Sequence, residues 1–429
     1  MVNINERKIA LDILMDIKKG VPSHNALQNM ASYGRGVISD KRSRSLITRL
    51  VYGTLENYLY LDFLISEFTG KPVSKLKPLI ATLLEMSVYQ LMYMDNIPGH
   101  AIVNEAVRIV QNSPQKGLKG FVNGVLRNIA RNKYDLPEPS GGEDHMLSLK
   151  YSIPGFIIDI IDANPGVSGR IETVLGGLRK KRPVTVRCNT SLVTPCELKE
   201  RLRSEGVTVQ SDGQYPDHAL FISGFDSIEA LRSFKEGLFY VQDIGSILSG
   251  EASGFRPGER VLDLCGAPGG KSIGAALKGA MVEAGDVSEA KADLIRENIR
   301  RLRLGNINVN VRDATVFDPD LEEGFDTVIC DVPCSGIGII GRKPDICINL
   351  TPEKINDLVL LQRSILETAV RYVKPGGRLI FSTCTINSRE NEDNGSFLEN
   401  KGLKTVFEKQ WIPGIDGDTD GFYTKILKK

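Results

Sequence analysis

Two cysteines stand directly after apolar, strand-like runs, in the stretches "CDVPCSGIG" (330–338) and "FSTCTINSREN" (381–391). A buried cysteine is usually a small hydrophobic residue, but Cys334 and Cys384 fall just past the predicted strand ends. A thiolate is a strong nucleophile, and its addition to C6 of a cytosine makes the neighbouring C5 reactive enough to accept a methyl group. A second group must then remove the C5 proton. The paired thiols therefore indicate covalent chemistry on a pyrimidine base.

The residues around the two thiols leave their roles open. Asp331, three residues before Cys334, supplies a carboxylate that can stabilise the cytosine ring when N3 is protonated. The stretch "NSRE" (387–390) has the pattern of a capping box at a helix start, and a helix N-terminus just beyond Cys384 would favour its thiolate form. This local pattern favours Cys384 as the nucleophile, and Cys334 remains the alternative.

A third loop, "DLCGAPGGKS" (263–272), has the composition of a ligand-binding turn. A phosphate-binding loop would need glycine where the chain has Cys265, and Pro268 removes a backbone donor. The glycines also lack the dinucleotide-binding spacing. S-adenosylmethionine has a ribose but no phosphate, and Asp286 lies about 20 residues beyond the loop, as a ribose-binding acid should. With Asp313 after the next strand placed to reach the adenine amino group, we predict an S-adenosylmethionine site.

The elements that position these loops are indicated by an alternation of strand-like and helix-like stretches from residue 241 onward. Such alternation is typical of a parallel, doubly wound sheet, whose ligands bind at the carboxyl ends of the strands. The aspartates and cysteines named above all stand at predicted strand ends. We therefore predict an α/β doubly wound (Rossmann-like) domain over residues 241–429, in which the helix over 289–305 stops at Gly305.

The rest of the chain is predicted to form two further domains. Residues 1–134 repeat apolar residues at helical spacing and should form an all-α domain. A linker rich in Pro, Gly and Ser, "DLPEPSGGED", follows at 135–144. Residues 146–240 contain the strand-like "PVTVRCNT" and "HALFISG" and the helix-like "PCELKERLRSEG", which predicts a small α+β middle domain.

The overall composition sets limits on function. The chain of 429 residues is 41% hydrophobic and 25% charged, and its lack of a signal peptide or long apolar run predicts a cytoplasmic protein. Its seven cysteines show no CxxC spacing and its four histidines all precede residue 241, so we expect no disulfide framework and no metal. Residues 1–140 carry 18 Lys and Arg against 12 Asp and Glu, whereas residues 241–429 carry 24 against 28. The basic first third suits a polyanionic partner, although a solvated helical face gives the same count.

Several stretches resemble a known family. "DLCGAPGGKS", "DVPCSG", "RKPDI" and "STCTINSREN" are similar to the signature blocks of the Sun family of RNA cytosine-C5 methyltransferases, and "GLFYVQDIGSILSG" and "DGFYTKIL" resemble two further blocks. "DKRSRSLITRLVYGTL", "IPGHAIVNEAVRIV" and "GFVNGVLRNIAR" resemble a NusB-like RNA-binding helical domain. Together they resemble the bacterial enzymes that methylate 16S (small-subunit) rRNA, over nearly the whole chain.

This resemblance implies a role for each site residue. It implies that Cys384 attacks C6 and that Cys334 assists proton removal and enzyme release, while the chemistry of the reaction assigns the stabilisation of N3 to Asp331. The inverse assignment of the two cysteines is the alternative, because DNA cytosine methyltransferases use the proline-preceded cysteine as nucleophile. The residues that the resemblance implies for binding S-adenosylmethionine are Cys265, Gly266, Ala267, Pro268, Gly269, Gly270, Lys271, Asp286, Asp313 and Asp331.

The resemblance also implies the partner, 16S rRNA, either naked or in a pre-30S particle, with the protein acting as a monomer. The target cytosine should lie in a single-stranded or loop region, because it must leave its stack to reach a thiol. Two alternatives remain: a non-catalytic RNA-binding or ribosome-assembly factor with a vestigial methyltransferase fold, and the same reaction on another RNA.

Overall fold

The computed structural model describes residues 5–33 and 41–429. The chain divides into two compact units, Met1–Asp159 with Ile340–Leu350 and Ile160–Ile339 with Thr351–Lys429. None of the helices in the described ranges combines the length and the apolar character that crossing a membrane requires.

The first unit is helical, as predicted. Its helices, numbered in chain order, are α1 (Glu6–Ile17), α2 (Ser23–Gln28), α3 (Met30–Tyr33), α4 (Lys41–Glu56), α5 (Tyr58–Thr69), α6 (Pro78–Tyr93), α7 (Gly99–Gln111), α8 (Lys119–Arg131) and α9 (Glu143–Tyr151). Every residue of α6 from Ile80 to Leu91 is buried, which makes it the central helix of this unit. α7 instead buries one stripe that includes Ile102, Ala106 and Ile109, the pattern of a helix with one face on the core.

The second unit contains two sheets, and the smaller one lies within the predicted α+β region. Its strands are β1 (Val184–Cys188), β2 (Thr208–Gln210), β3 (Ala219–Ser223) and β4 (Phe239–Val241), in the antiparallel order β2-β3-β1-β4. The accompanying helices are α10 (Gly155–Asp162), which begins in the first unit, α11 (Ile171–Arg179), α12 (Pro195–Ser204) and α13 (Arg232–Lys235). A capping box between Thr194 and Glu197 fixes the start of α12.

The larger sheet has seven strands in the order β10-β11-β9-β8-β5-β6-β7. They are β5 (Arg260–Asp263), β6 (Met281–Asp286), β7 (Ile307–Val311), β8 (Phe325–Asp331), β9 (Val373–Thr383), β10 (Lys404–Trp411) and β11 (Phe422–Lys428). β5 to β9 are parallel, and β10 and β11 complete one edge in antiparallel pairing. The flanking helices are α14 (Ile244–Ala252), α15 (Gly270–Leu277), α16 (Glu289–Leu302), α18 (Pro352–Tyr372) and α19 (Glu392–Asn400).

The topology of this sheet decides where its ligands bind. From β5 the chain continues to β6 and β7 on one side and then returns to β8 and β9 on the other. The crevice at such a switch point, beyond the carboxyl ends of the strands, is the usual ligand site of doubly wound sheets. The predicted doubly wound class is therefore confirmed, with two antiparallel strands added at one edge.

The segment Ile340–Leu350 follows β8 in sequence but belongs to the helical unit. It contains a short helix, α17 (Ile346–Asn349). The Asp345 carboxylate accepts hydrogen bonds from the backbone N–H and the hydroxyl of Ser23 at 3.3 and 2.5 Å. The Tyr58 hydroxyl donates to the Cys347 carbonyl at 3.0 Å. This part of the predicted 241–429 region is thus held by α2 and α5.

Candidate active site

A cleft of about 200 Å³ opens at the switch point, beyond the ends of β5 and β8. The loop between β5 and α15 forms one wall, and Asp263 and Asp331, the last residues of β5 and β8, contribute carboxylates. Residues from the start of α14 close the other side. Of the predicted cofactor residues, the cleft is lined by Cys265, Gly266, Ala267, Pro268, Gly270, Lys271 and Asp331.

The loop from β5 to α15 is a tight turn held by backbone hydrogen bonds. The Gly266 N–H donates to the Gly285 carbonyl at 2.8 Å, and the Gly269 N–H donates to the Gly266 carbonyl at 2.6 Å. Gly269 has a φ of 111°, a left-handed conformation that glycine adopts without steric cost. The turn therefore brings its backbone to the edge of the cleft, where a ligand can approach it closely.

Two predicted cofactor carboxylates stand at the ends of β6 and β7 and are not among the cleft-lining residues. Asp286 is buried and accepts hydrogen bonds from the backbone N–H groups of Ala267 and Val287 at 3.1 and 2.8 Å. Exposed Asp313 accepts both the N–H and the hydroxyl of Thr315, and these bonds lower the pKa of its carboxyl. Asp286 thus supports the loop directly, whereas Asp313 forms a turn of its own.

Lys271 and Asp331 form an ion pair across the cleft. The Nζ atom of Lys271 lies 2.5 Å from Oδ2 of Asp331 and 4.9 Å from the ring centre of Phe422. The other oxygen of Asp331 accepts the Ser382 hydroxyl at 2.8 Å. Because the Lys271 side chain is 5% exposed and that of Asp331 38%, the pair presents the Asp331 carboxylate toward the open side of the cleft.

Asp263, the last residue of β5, is a functional candidate that was not among the predicted site residues. Its side chain is buried, and Oδ2 accepts the Ser272 hydroxyl at 2.6 Å. Oδ1 is buried and has no hydrogen-bond partner among the described residues. Burial raises the pKa of this carboxyl to about 6. A carboxylate oxygen in this state lacks a donor, and the ammonium group of an amino-acid-like ligand would supply one.

The two cysteines meet at the ends of neighbouring parallel strands. β8 and β9 pair with Asp331 opposite Ser382, so the loops that follow them emerge side by side. The sulfur atoms of Cys334 and Cys384 lie 3.2 Å apart. The Gly338 N–H donates to the Cys384 carbonyl at 3.1 Å and ties the two loops together.

The surroundings of the thiol pair favour a proton on the sulfur of Cys334. The hydrogen bond with Cys384, together with burial, raises the pKa of the Cys334 thiol well above its ordinary value. Cys334 therefore remains protonated and can donate to its neighbour. Sulfur is nucleophilic as the thiolate, and the raised pKa of Cys334 disfavours the thiolate form at that sulfur.

The capping box predicted at Asn387–Glu390 is wrong. α19 begins only at Glu392, and its N-cap, Asn391, makes no side-chain capping bond. Asn387 does donate to Glu390 at 2.9 Å, but the four residues form a turn rather than the first turn of a helix. The carboxylate of Glu390 is instead used in long-range contacts, so no helix N-terminus directly follows Cys384.

Comparison with known proteins agrees with this geometry. A family model described as 16S rRNA methyltransferase RsmB/F matches residues 254–421, and a model of the NusB family matches residues 4–131. The chain is 34% identical over 401 residues to a probable ribosomal RNA small subunit methyltransferase B of Bacillus subtilis, covering 92% of this chain and 88% of the relative. It is 31% identical to the ribosomal RNA small subunit methyltransferase B of Proteus mirabilis, covering 91% and 92% of the two chains.

Solved structures show the same fold. The crystal structure of PH0851 matches with a TM-score of 0.83 at 25% identity, over all of both chains. A methyltransferase homologue from Pyrococcus horikoshii matches with a TM-score of 0.59 at 24% identity, over 68% of this chain and 100% of the other. These matches confirm the predicted resemblance. The chain belongs to the RsmB/F family of 16S rRNA methyltransferases and carries a NusB-family domain at its N-terminal end.

Proposed function

We propose that this protein methylates C5 of one cytosine in 16S rRNA through a covalent bond between Cys384 and C6 of the base. The observation that carries the proposal is the 3.2 Å approach of the Cys334 and Cys384 sulfur atoms at neighbouring strand ends, beside the cleft that Asp331 lines. S-adenosylmethionine, when bound, supplies the methyl group from its sulfonium. The protein acts as a cytoplasmic monomer.

The cleft residues fit this cofactor. The buried and unpartnered Oδ1 of Asp263 would accept a hydrogen bond from its ammonium group. The turn from Cys265 to Lys271 brings backbone close to the ligand, as a nucleoside-binding turn requires. Asp286 and Asp313 are the carboxylates proposed for the ribose and for the adenine amino group.

In the first step the Cys384 thiolate forms a bond to C6, the C5–C6 π bond is broken, and N3 takes up a proton from solvent. Cys334 holds its own proton and donates a hydrogen bond to Cys384 until the base arrives. Asp331, paired with Lys271, accepts a hydrogen bond from protonated N3 and stabilises the adduct. The electron pair gained by the ring makes C5 nucleophilic.

In the second stage C5 carries both the new methyl group and its original proton. Cys334, after its own proton has passed to solvent, is the group proposed to accept that proton, since its sulfur lies beside Cys384. Loss of the proton restores the C5–C6 double bond and expels the Cys384 thiolate. Without this assistance the enzyme would stay bonded to the product.

The substrate RNA must present an unstacked cytosine, because a base inside a duplex cannot bring its C6 to a protein thiol. The helical unit, with the net positive charge of residues 1–140, is proposed to hold the RNA through its phosphates. This contribution fixes the position of the RNA and does not itself select the base.

Paired cysteine variants test the proposal. With 16S rRNA and S-adenosylmethionine, Cys334→Ser should accumulate a protein–RNA adduct that survives denaturing electrophoresis, because the release step stalls. Cys384→Ser should give neither adduct nor methylated RNA. Exposed Cys196 provides the control, since Cys196→Ser should turn over normally. Adduct formation by Cys384→Ser and not by Cys334→Ser would instead establish the inverse assignment.

A further inference from the structure

Beneath the two thiols lies a buried carboxylate that belongs to neither the cleft nor the thiol pair. Glu390 is fully buried. One carboxylate oxygen accepts the Ser335 N–H at 2.8 Å and the Gln362 side-chain amide at 2.9 Å. The other accepts the Asn387 side-chain amide at 2.9 Å. This carboxylate thus joins the loop after β8, the loop after β9 and helix α18.

Gln362 makes a further hydrogen bond to the Cys334 loop. Its amide nitrogen also donates to the Pro333 carbonyl at 2.8 Å, and its oxygen accepts the Asn394 side chain at 2.8 Å. The carbonyl before Cys334 and the N–H after it are therefore both bound by the Gln362–Glu390 pair. With both flanking peptide groups fixed, the backbone that carries the Cys334 sulfur is held in place.

The Cys384 loop is fixed to the same framework. The hydroxyls of Ser335 and Thr385 hydrogen-bond at 2.9 Å, so the residue after each cysteine contacts the residue after the other. Asn391 accepts the Thr383 hydroxyl at 2.5 Å and donates to the Thr385 carbonyl at 3.1 Å. The two residues that flank Cys384 are thus bound as firmly as those that flank Cys334.

We propose that Glu390 is a positioning residue for both thiols, which fixes the Cys334 and Cys384 loops against α18 and places a negative charge beside Cys334. The inference deepens the proposed methyl transfer and rests on it for its catalytic consequence. The fixing of the two loops by Glu390 rests only on the hydrogen bonds described above.

The negative charge of Glu390 also affects the Cys334 thiol. In the described part of the chain, no lysine, arginine or histidine forms a salt bridge with it, and its donors are neutral amides. Burying an ion without an opposite charge is costly, and a glutamine would meet most of the same hydrogen bonds. The negative charge contributes to the raised pKa of Cys334. It therefore increases the affinity of the Cys334 sulfur for a proton, which suits a group that accepts the C5 proton in the release step.

Glu390→Gln tests the proposal, with Asp393→Asn as its matched control. Asp393 is exposed on the first turn of α19, so the control removes one negative charge nearby and leaves the loops intact. Mass spectrometry after iodoacetamide treatment measures the alkylation rate of each cysteine against pH. Cys334 in Glu390→Gln should react at least about fivefold faster at pH 8, since each pKa unit is a tenfold change in thiolate. The control should match the wild type.

Steady-state kinetics gives the second readout. Glu390→Gln should lower kcat by about tenfold or more, because misplaced reacting groups lose orientation, and should leave the KM for RNA within about twofold. General damage to the fold would alter both constants and would not select one thiol. Equal alkylation profiles and equal kcat values in Glu390→Gln and Asp393→Asn would overturn the proposal.

Gln362→Met keeps the charge and removes only the amide, so it decides the case if Glu390→Gln does not fold. It should lower kcat and leave the alkylation profile of Cys334 unshifted, and a wild-type kcat would refute the positioning role. Failure of the proposed function is distinguishable. A wild-type protein that forms no 5-methylcytosine would refute methylation, while the alkylation comparison would still decide the role of Glu390.

Discussion

The cofactor cleft and the thiol site occupy neighbouring strand ends of one sheet, yet they satisfy their buried polar groups differently. In the cleft, Asp263 keeps a buried oxygen without a partner among the described residues. Around the thiols, both oxygens of Glu390 and both polar atoms of Gln362 are bonded within the protein. Buried polar groups are normally paired. The cleft is thus prepared for a ligand that brings the missing donor, whereas the thiol loops are fixed before any substrate arrives.

Among the variants that compare the two regions, the largest effect is expected at Asp331, which touches both of them through Lys271 and Ser382. Asp331→Asn removes the charge that stabilises protonated N3, so kcat should fall by about 100- to 1000-fold. Initial rates of methyl transfer at saturating cofactor measure this fall in kcat. Asp326→Asn, at the opposite end of β8 and 40% exposed, is the control. An Asp331→Asn rate equal to that control would remove this residue from the mechanism.

The cofactor cleft, with its unpartnered buried oxygen, is tested at Asp263. Asp263→Asn should weaken S-adenosylmethionine binding by about tenfold, since a hydrogen bond to a charged group contributes roughly 1.5 to 3 kcal/mol. The pKa of about 6 for this carboxyl means that the wild-type affinity should rise as the pH increases through 6. Titration calorimetry between pH 5 and 7.5 measures both effects. A pH-dependent affinity that persists in Asp263→Asn would contradict the assignment.

The same carboxyl affects stability when no cofactor is bound. Its pKa in the folded protein, about 6, lies above its usual value, so the folded state holds the proton longer than the unfolded state does. The free energy of unfolding should therefore decline as pH rises from about 4 to 7, by up to about 3 kcal/mol. Urea unfolding of wild type and Asp263→Asn isolates this contribution, which should be missing from the variant.

A side chain added to the turn that shapes the cleft should have a smaller effect than the loss of the Asp263 charge. Gly269→Ala places a Cβ at a φ of 111° and 3.2 Å from Ile273, a strain of about 1 to 3 kcal/mol. Thermal unfolding should show a lower Tm and calorimetry a weaker cofactor complex. A Cβ at Gly305 meets nothing within 4 Å, so Gly305→Ala is the control. Equal Tm values for the two variants would show that the turn tolerates a side chain.

The smallest expected effect is on the free energy of unfolding, in variants that remove one hydroxyl from each region. Ser335→Ala removes one of the two partners of the buried Thr385 hydroxyl, which keeps the Asn387 N–H at 3.3 Å, and a lost hydrogen bond costs about 0.5 to 1.5 kcal/mol. Ser246, beside Lys271 at 3.3 Å, borders the cleft, where water can replace its hydroxyl. Ser246→Ala should therefore change the free energy of unfolding by less than about 0.5 kcal/mol. Equal losses in the two variants would mean that the thiol site is no more tightly constrained than the cleft.

The strand ends were predictable from the sequence because each depends on a short local pattern. Apolar runs that break at an aspartate, or shortly before a cysteine, indicated β5, β6, β8 and β9. The parallel pairing of β8 and β9 then requires the two cysteine loops to be neighbours. The cofactor loop was indicated by its glycines and proline, and Asp263 was missed because the immediate end of a strand gives no signal of an unpaired oxygen.

What the sequence did not predict depends on contacts between distant residues. Glu390 has the spacing of a helix cap to Asn387, yet its carboxylate binds the N–H of Ser335, which lies 55 positions away in the chain. α16 ends at Leu302, with Arg303 in the left-handed conformation at a φ of 59°, and so stops before the predicted Gly305. The long-range contact of Glu390 overrides the local pattern, whereas α16 ends through local cap bonds from the Arg303 N–H to the carbonyls of Arg300 and Ile299.

The central claim is that the sulfur of Cys384 bonds to C6 of the target base. It is tested most directly with the wild-type enzyme, S-adenosylmethionine and 16S rRNA transcribed with 5-fluorocytidine, because fluorine at C5 cannot be removed as a proton and the adduct persists. Protease and nuclease digestion followed by mass spectrometry locates the bond. We predict a methylated fluorocytidine nucleotide on the peptide that contains Cys384; the same nucleotide on the Cys334 peptide, or no adduct on either, would contradict the account.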